Sequence, residues 1–119
     1  MILGIGTDIV EISRIEKSLK SKRFLKICYT KSEIERCMTK SSHAARNFAG
    51  YFAAKESVAK ALGTGFRGFY PRDIEIDHDD AGQPIIRLSD KINLAPNSKI
   101  LVSISHEKAF ATAMAIILG

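Results

Sequence analysis

The sequence predicts an α+β fold in which an antiparallel sheet packs around one long central helix. Side-chain types alternate at both ends of the chain, over 2–10 and over two segments between 99 and 118, as they do in strands. Most of the chain between these ends has a helical pattern, and its longest stretch runs from about 43 to 62. A length of 119 residues, 45% of them hydrophobic, suffices for one domain over 1–119 and is too short for two.

The first strand, predicted from 2 to 10, has two different faces. Larger residues share one face, whereas Gly4, Gly6 and Asp8 share the other. The glycines have two interpretations. The first is open space beside the carboxylate for a ligand, and the second is a bulge or a close contact with a packed helix. Taken alone, they favour the second interpretation.

Several short helices are predicted from 11 to about 40, because the helical pattern there is repeatedly broken. The T-K-S-E run from Thr30 to Glu33 is typical of a capping box and predicts that one helix starts there. The central helix is expected to end at Gly63-Thr64-Gly65, since glycine adopts the left-handed conformation that closes a helix.

Strands are predicted for the rest of the chain. Segments 73–77 and 85–88 flank a turn rich in Asp, Gly and Pro, and they are expected to form a hairpin. Two further strands are predicted at 99–106 and 109–118. Alanines recur on one face of the last strand, so a helix can pack closely against it.

Neither a signal peptide nor a membrane span is predicted. No succession of basic, apolar and small residues follows Met1. The longest apolar run, 109–118, is well short of the ~20 residues that a spanning helix needs. We therefore expect a cytoplasmic protein with no membrane partner. Cys28 and Cys37 lack metal-ligand spacing, and we expect both to be reduced structural thiols.

Positive charge is concentrated in one part of the chain. The formal net charge is +5, and residues 14–46 contain ten Lys or Arg against three Glu. By charge alone the partner could be nucleic acid, an acidic protein or a phosphorylated small molecule. A solvated, lysine-rich helical surface explains this charge equally well.

Charged residues interrupt the apolar side of the central helix. On a helical wheel Lys55 falls among the apolar residues, Glu56 lies at their edge, and Lys60 follows Glu56 one turn later. A buried charge is costly unless it is paired or bound to an ion. The pattern therefore indicates a metal and an anion more than a solvated face.

Asp8 and Glu56 are carboxylates with small or apolar neighbours, one on the first strand and one on the central helix. Two carboxylates without a cysteine or a histidine pair favour Mg²⁺ over zinc, and Mg²⁺ often completes its coordination with phosphate oxygens. A nucleotide diphosphate is therefore the expected ligand type, with Lys60 neutralising a phosphate.

Two further features are weaker candidates for phosphate contacts. The backbone amides of Gly63-Thr64-Gly65 could bind a phosphate, although such glycines more often only cap a helix. Ser103 and His106 end a predicted strand and could contact phosphate or ribose. A histidine at a strand end is more commonly a surface residue.

Four segments occur in a characteristic order: G-I-G-T-D-I-V-E-I followed by R-I within 4–15, F-A-G-Y-F-A-A-K-E-S-V-A-K-A-L-G-T-G at 48–65, D-I-E-I at 73–76 and S-I-S-H at 103–106. Together they resemble the single-domain bacterial holo-(acyl-carrier-protein) synthases of the 4′-phosphopantetheinyl transferase superfamily. The resemblance covers nearly the whole chain.

This resemblance implies the 4′-phosphopantetheinyl transferase fold and transfer of 4′-phosphopantetheine from coenzyme A to a serine of apo-acyl carrier protein. The other product is adenosine 3′,5′-bisphosphate, and the reaction supports fatty acid biosynthesis. The resemblance also implies a homotrimer with active sites between subunits.

The resemblance further assigns roles to residues. Asp8 and Glu56 would hold Mg²⁺ on the diphosphate, and one carboxylate would take the serine proton. Lys60 would stabilise the leaving phosphate, and Lys55 would support the diphosphate or orient Glu56. The remaining coenzyme A contacts are expected at Gly63, Thr64, Gly65, Ser103 and His106.

The basic region then has an expected partner, because carrier proteins are acidic along their recognition helix. Arg14 and Arg23 match family positions linked to carrier docking, whereas Lys20, Lys22 and Lys26 are docking candidates by charge alone. One departure from the family concerns Tyr51, where an arginine is common, so a phosphate-binding role cannot be transferred to that position.

Two other functions compete with the transferase. A nucleic-acid-binding module fits the basic region, but aromatic residues make up only 8% of the chain and form no stacking pattern there. It also leaves Asp8, Glu56 and Lys60 unexplained. A Mg²⁺-dependent diphosphate hydrolase would share the metal site but need no protein acceptor.

Overall fold

The computed structural model describes residues 1–39 and 41–119, so position 40, the predicted end of the short helices, lies outside the described residues. Short 3₁₀ turns at Ser41–His43 and Pro71–Asp73 precede the long helix and the hairpin. In chain order the elements are β1 (Ile2–Glu11), α1 (Ile12–Ser18), α2 (Lys22–Cys28), α3 (Lys31–Thr39), α4 (Ala44–Leu62), β2 (Ile74–His78), β3 (Pro84–Leu88), β4 (Lys99–His106) and β5 (Phe110–Leu118).

The strands form a three-stranded antiparallel sheet with the order β1-β5-β4 and a separate β2-β3 hairpin. Asp8 of β1 lies opposite Ala113 of β5, which in turn lies opposite Ile104 of β4. The predicted α+β class and each predicted element are thus confirmed.

Helix α4 packs against one face of the three-stranded sheet, here called the covered face. A side chain at Gly4 would collide with the carbonyl oxygen of Ala61, and one at Gly6 would collide with that of Ser57. The β5 residues Ala111, Ala113 and Ala115 on the same face are buried. The glycines of β1 therefore allow α4 to pack closely, and the predicted alanine face of β5 has the same role.

The opposite face of the sheet, here called the exposed face, carries large apolar side chains. Ile5 is 62% exposed and Ile9 is 65% exposed. Isolated exposed apolar residues are ordinary, but a contiguous set on one face is typical of an interaction surface. The other members of this set are Leu3, Leu101, Phe110 and Met114.

The helix ends follow the local signals in the sequence. In the predicted capping box, the Thr30 amide donates to the Glu33 carboxylate at 2.8 Å and the Glu33 amide donates to the Thr30 hydroxyl at 3.3 Å. Helix α4 ends where Gly63 adopts φ +83° and donates its amide to the carbonyl of Lys60.

Cys28 and Cys37 are free thiols, in agreement with the expected reduced state, and both are buried. Burial raises the pKa of Cys28 to about 11 and that of Cys37 to about 12, so neither is a ready thiolate nucleophile. Within residues 1–39 and 41–119, no helix combines the length and the apolar character needed to cross a membrane.

Candidate active site

Close packing of α4 on β1 brings Lys60 to Asp8. The Lys60 ammonium donates to the Asp8 carboxylate at 3.4 Å and to the carbonyl oxygen of Thr7 at 2.9 Å. The Lys60 side chain is 54% exposed and that of Asp8 is 17% exposed. An ammonium and a carboxylate are thus held together where a ligand from solvent can reach them.

Glu56 lies half-buried one turn before Lys60, close enough to Asp8 for the two charges to interact. Desolvation, followed by the negative charge of Asp8, raises the pKa of Glu56 above its ordinary value. Lys60 and Arg14 oppose this shift. Two carboxylates and two cationic side chains from β1, α1 and α4 therefore gather at one place.

This donor set fits Mg²⁺. Asp8 and Glu56 supply hard carboxylate oxygens, and a bound cation would offset both the desolvation and the repulsion from Asp8 that raise the Glu56 pKa. In the part of the chain that the structure describes, no group of three or more His, Cys, Asp or Glu could hold a metal ion. Water and a phosphate-bearing ligand would have to supply the remaining oxygens, as is usual for Mg²⁺.

Lys55 points away from this site, which corrects the expectation that it supports a diphosphate. Its side chain is fully buried, and its ammonium lies 2.8 Å from the Glu33 carboxylate. It also donates to the carbonyl oxygens of Pro71 and Ile74. The buried charge of Lys55 is neutralised by another part of the core and not by a ligand.

The Gly63-Thr64-Gly65 segment is a helix cap in the structure. The Gly63 amide donates to the carbonyl of Lys60, and the Gly65 amide donates to the carbonyl of Ala59 at 3.2 Å. Both glycine amides are used within the cap, which corrects the expectation that they are free for a phosphate.

Ser103 and His106 lie on the same strand but line different cavities. Ser103 lines a cavity of about 570 Å³ that also includes Asp8, Lys60 and Met114. His106 lines a second cavity of about 910 Å³ at the end of the sheet. The structure thus places Ser103 at the cavity that Asp8 and Lys60 line, whereas His106 lines the other cavity.

Sequence reasoning missed Arg46, which lines the larger cavity with His106. Among the described residues, its Nε is one of the buried polar atoms without a hydrogen-bond partner. Lys20 and Lys108 line the same cavity. An arginine in the first turn of a helix gives no sequence signal for such a placement.

The predicted docking residues lie on α1, on α2 and on the turn between them. Arg14 lies on α1 close enough to influence Glu56, and Lys20 lines the 910 Å³ cavity. Lys22 and Lys26 line a groove between α2 and α3. Arg23 is exposed on α2. These docking roles stay predictions.

Tyr51 replaces the arginine that is common in the resembling family. It is buried and contacts His78, with 3.5 Å between its hydroxyl and the His78 Nδ1. Its ring lies 5.8 Å from the His78 ring. Tyr51 therefore packs against the hairpin.

A family model described as the 4′-phosphopantetheinyl transferase superfamily matches residues 4–115. The chain belongs to this superfamily. Among curated superfamily members, a holo-[acyl-carrier-protein] synthase from Clostridium botulinum is 51% identical over 98% of both chains. The enzyme of the same name from Fusobacterium nucleatum is 46% identical over 99% of this chain and 100% of its own.

Solved structures of superfamily members give the same result. A crystal structure of a holo-(acyl-carrier-protein) synthase from Bacillus anthracis in complex with CoA (3′,5′-ADP) superposes with a TM-score of 0.84. It is 39% identical, and the match covers 98% of this chain and 96% of that one. The 4′-phosphopantetheinyl transferase fold expected from the sequence is thus confirmed.

Proposed function

We propose that this protein transfers 4′-phosphopantetheine from coenzyme A to a serine of apo-acyl carrier protein, releasing adenosine 3′,5′-bisphosphate. The observation that carries this proposal is the convergence of Asp8, Glu56 and Lys60 at the open edge of β1. The similar proteins are named holo-acyl-carrier-protein synthases, and the one from Bacillus anthracis was crystallised in complex with CoA (3′,5′-ADP).

Lys60 is placed to stabilise the phosphate that leaves with the adenosine. Its ammonium is exposed, and its protein partners are one carboxylate and one carbonyl oxygen. Preorganised cationic donors of this kind stabilise charge that develops in a phosphoryl-transfer transition state.

Asp8 and Glu56 are the residues that would hold Mg²⁺. When bound, the ion supplies neutralisation of the diphosphate and polarisation of the reacting phosphorus. A carboxylate of the site also accepts the serine proton.

We also propose that the protein is a homotrimer, as the family resemblance implies. The apolar side chains of the exposed face support self-association, because burying them in another subunit removes a large apolar surface from water. The cavity that joins Asp8 to Ser103 is partly lined by this face, so a neighbouring subunit would lie beside the site.

Intact mass spectrometry tests the reaction directly. Apo-acyl carrier protein is incubated with this protein, coenzyme A and Mg²⁺, with and without a chelator. We expect the carrier to gain one phosphopantetheine group, and the gain to disappear with chelator. Release of nucleotide without any carrier modification would favour the diphosphate hydrolase.

A second experiment tests carrier docking. Arg14→Glu is expected to raise the apparent KM for carrier protein more than that for coenzyme A, and added salt should weaken wild-type docking. Lys91→Glu, an equal charge change at an exposed position outside the basic region, is the matched control. Equal effects of Arg14→Glu on both KM values would contradict a docking role.

The cytoplasmic location expected from the sequence stays a prediction. It can be checked by fractionating cells that express the protein with an epitope tag.

A further inference from the structure

Glu33 and Lys55 form an ion pair inside the protein. Both side chains are fully buried, and their charged atoms are 2.8 Å apart. The ammonium also donates to the carbonyl oxygens of Ile74 at 2.6 Å and Pro71 at 3.2 Å. An ammonium has three protons, so Lys55 has none left for a ligand.

The carboxylate of Glu33 is equally well satisfied. One oxygen accepts from the Thr30 amide at 2.8 Å, and the other accepts from the Ile76 amide at 2.7 Å. The Lys55 ammonium lies 2.8 Å from each of the two carboxylate oxygens. The pair therefore joins the start of α3, the middle of α4, the turn before β2 and β2 itself.

Helix α4 needs such a fixed point because much of its buried surface is smooth. Small side chains form shallow ridges, which resist rotation and sliding of a helix less than large interdigitating ones do. The small buried residues of α4 are Ala49, Gly50, Ala53, Ala54, Ser57, Ala59 and Ala61.

Lys55 immediately precedes Glu56, and the two side chains point about 100° apart around the helix. Fixing Lys55 to Glu33 and to two carbonyl oxygens therefore also fixes the direction of Glu56. Lys60 follows on the next turn of the same helix. A small rotation of α4 would move both groups relative to Asp8.

Stability alone does not account for this arrangement. Replacing a buried ion pair with neutral side chains of similar volume is often neutral or stabilising, whereas fixing the register of packed elements is the best-attested role of such pairs.

We propose that Glu33, acting through Lys55, is a positioning residue that sets the rotation of α4 so that Glu56 and Lys60 face Asp8. This inference rests on the proposed transferase function. It replaces a direct ligand contact of Lys55 with an indirect role, and it gives Glu33 a role beyond its helix cap.

The test uses Lys55→Met, Glu33→Gln and the double variant that carries both. Four quantities are measured: thermal stability, the kcat of the transfer, its KM for carrier protein, and Mn²⁺ affinity by electron paramagnetic resonance with coenzyme A present. Asp77→Asn with Arg87→Met is the matched control, because it removes an exposed ion pair of 2.9 Å from the hairpin.

We expect Lys55→Met to be markedly less stable, since it leaves Glu33 charged and unpaired, and the double variant to recover most of the stability. The double variant should nevertheless keep a kcat about 100-fold below wild type, because misplaced catalytic groups cost about this much. Its Mn²⁺ affinity should be about tenfold weaker or more, as when outer partners of metal ligands are removed. The carrier KM and the control variant should be unchanged.

A double variant with wild-type kcat and Mn²⁺ affinity would overturn the inference and leave the pair a purely structural role. If the double variant does not fold, Glu33→Asp decides the matter, because it keeps both charges but shortens the carboxylate arm by one CH₂. A lower kcat with unchanged carrier KM supports positioning, and an unchanged kcat overturns it. If wild type itself does not modify the carrier, the proposed function fails instead.

Discussion

The two faces of the three-stranded sheet differ in the size of their side chains. The covered face has glycine and alanine where β1 and β5 meet α4, and side chains at Gly4 and Gly6 would collide with helix carbonyl oxygens. The exposed face has large apolar side chains, such as Ile5, Ile9 and Met114, in contact with solvent.

This difference shows that the two faces serve different contacts. Small residues on the covered face let the backbones of β1 and α4 approach closely, and this approach brings Lys60 to Asp8. Large residues on the exposed face contribute nothing to the core of one subunit, and they suit burial against another subunit.

The largest effect is expected at Lys60, where the covered face meets solvent. Lys60→Met should lower kcat by about 10² to 10³-fold, as when one transition-state donor is removed. Its folding stability should change by less than about 1 kcal/mol, because exposed ion pairs contribute little. Steady-state kinetics and urea unfolding measure the two effects, with Lys17→Met as control. A large loss of stability would show that the pair with Asp8 is structural.

The close approach itself is tested by Gly6→Ala. The added methyl group must push α4 away from β1, so we expect about 1–3 kcal/mol lower stability from overpacking. Misplacement of Asp8 relative to Lys60 should lower kcat by about 10²-fold. Thr7→Ala, the neighbouring position on the exposed face, is the control. Normal activity of Gly6→Ala would mean that the site tolerates a wider separation of strand and helix.

The role of the exposed face is tested by Ile5→Asp. We expect loss of the proposed trimer, with an unfolding free energy of the isolated subunit within about 0.5 kcal/mol of wild type, since surface substitutions rarely change it more. Light scattering after size-exclusion chromatography measures the oligomeric state. Met38→Asp, an exposed apolar residue on α3, controls for the added charge. A trimer that survives Ile5→Asp would place the interface elsewhere.

The smallest effect is expected for Glu56→Gln, on the covered side of the sheet. This variant should be slightly more stable than wild type. Because the folded state raises the Glu56 pKa, protonated Glu56 stabilises the folded protein relative to the unfolded chain. This stabilisation is fully present below the ordinary Glu pKa and is lost as the pH rises through the folded value. In chelator at pH 7, Glu56→Gln should therefore melt at a slightly higher temperature than wild type. The difference should shrink as the pH is lowered towards 4. A lower melting temperature at pH 7 would contradict an unfavourable environment for the charged Glu56 carboxylate.

Local patterns in the sequence were enough for the elements and for the centre of the site. Alternation, the capping box and the closing glycine predicted the strands and helices, because these features depend on neighbouring residues. Asp8, Glu56 and Lys60 were found because charges among small or apolar residues need a partner or an ion.

The tertiary structure decided which partner each charge has. Lys55 and Lys60 looked alike in the sequence, but Lys55 pairs with Glu33 in the core and Lys60 pairs with Asp8 at the surface. It also showed that the Gly63 and Gly65 amides are used in the helix cap, and that Ser103 and His106 line different cavities. Periodicity tells which side of an element a residue occupies, but a contact between distant residues depends on how the elements pack, which no local pattern contains.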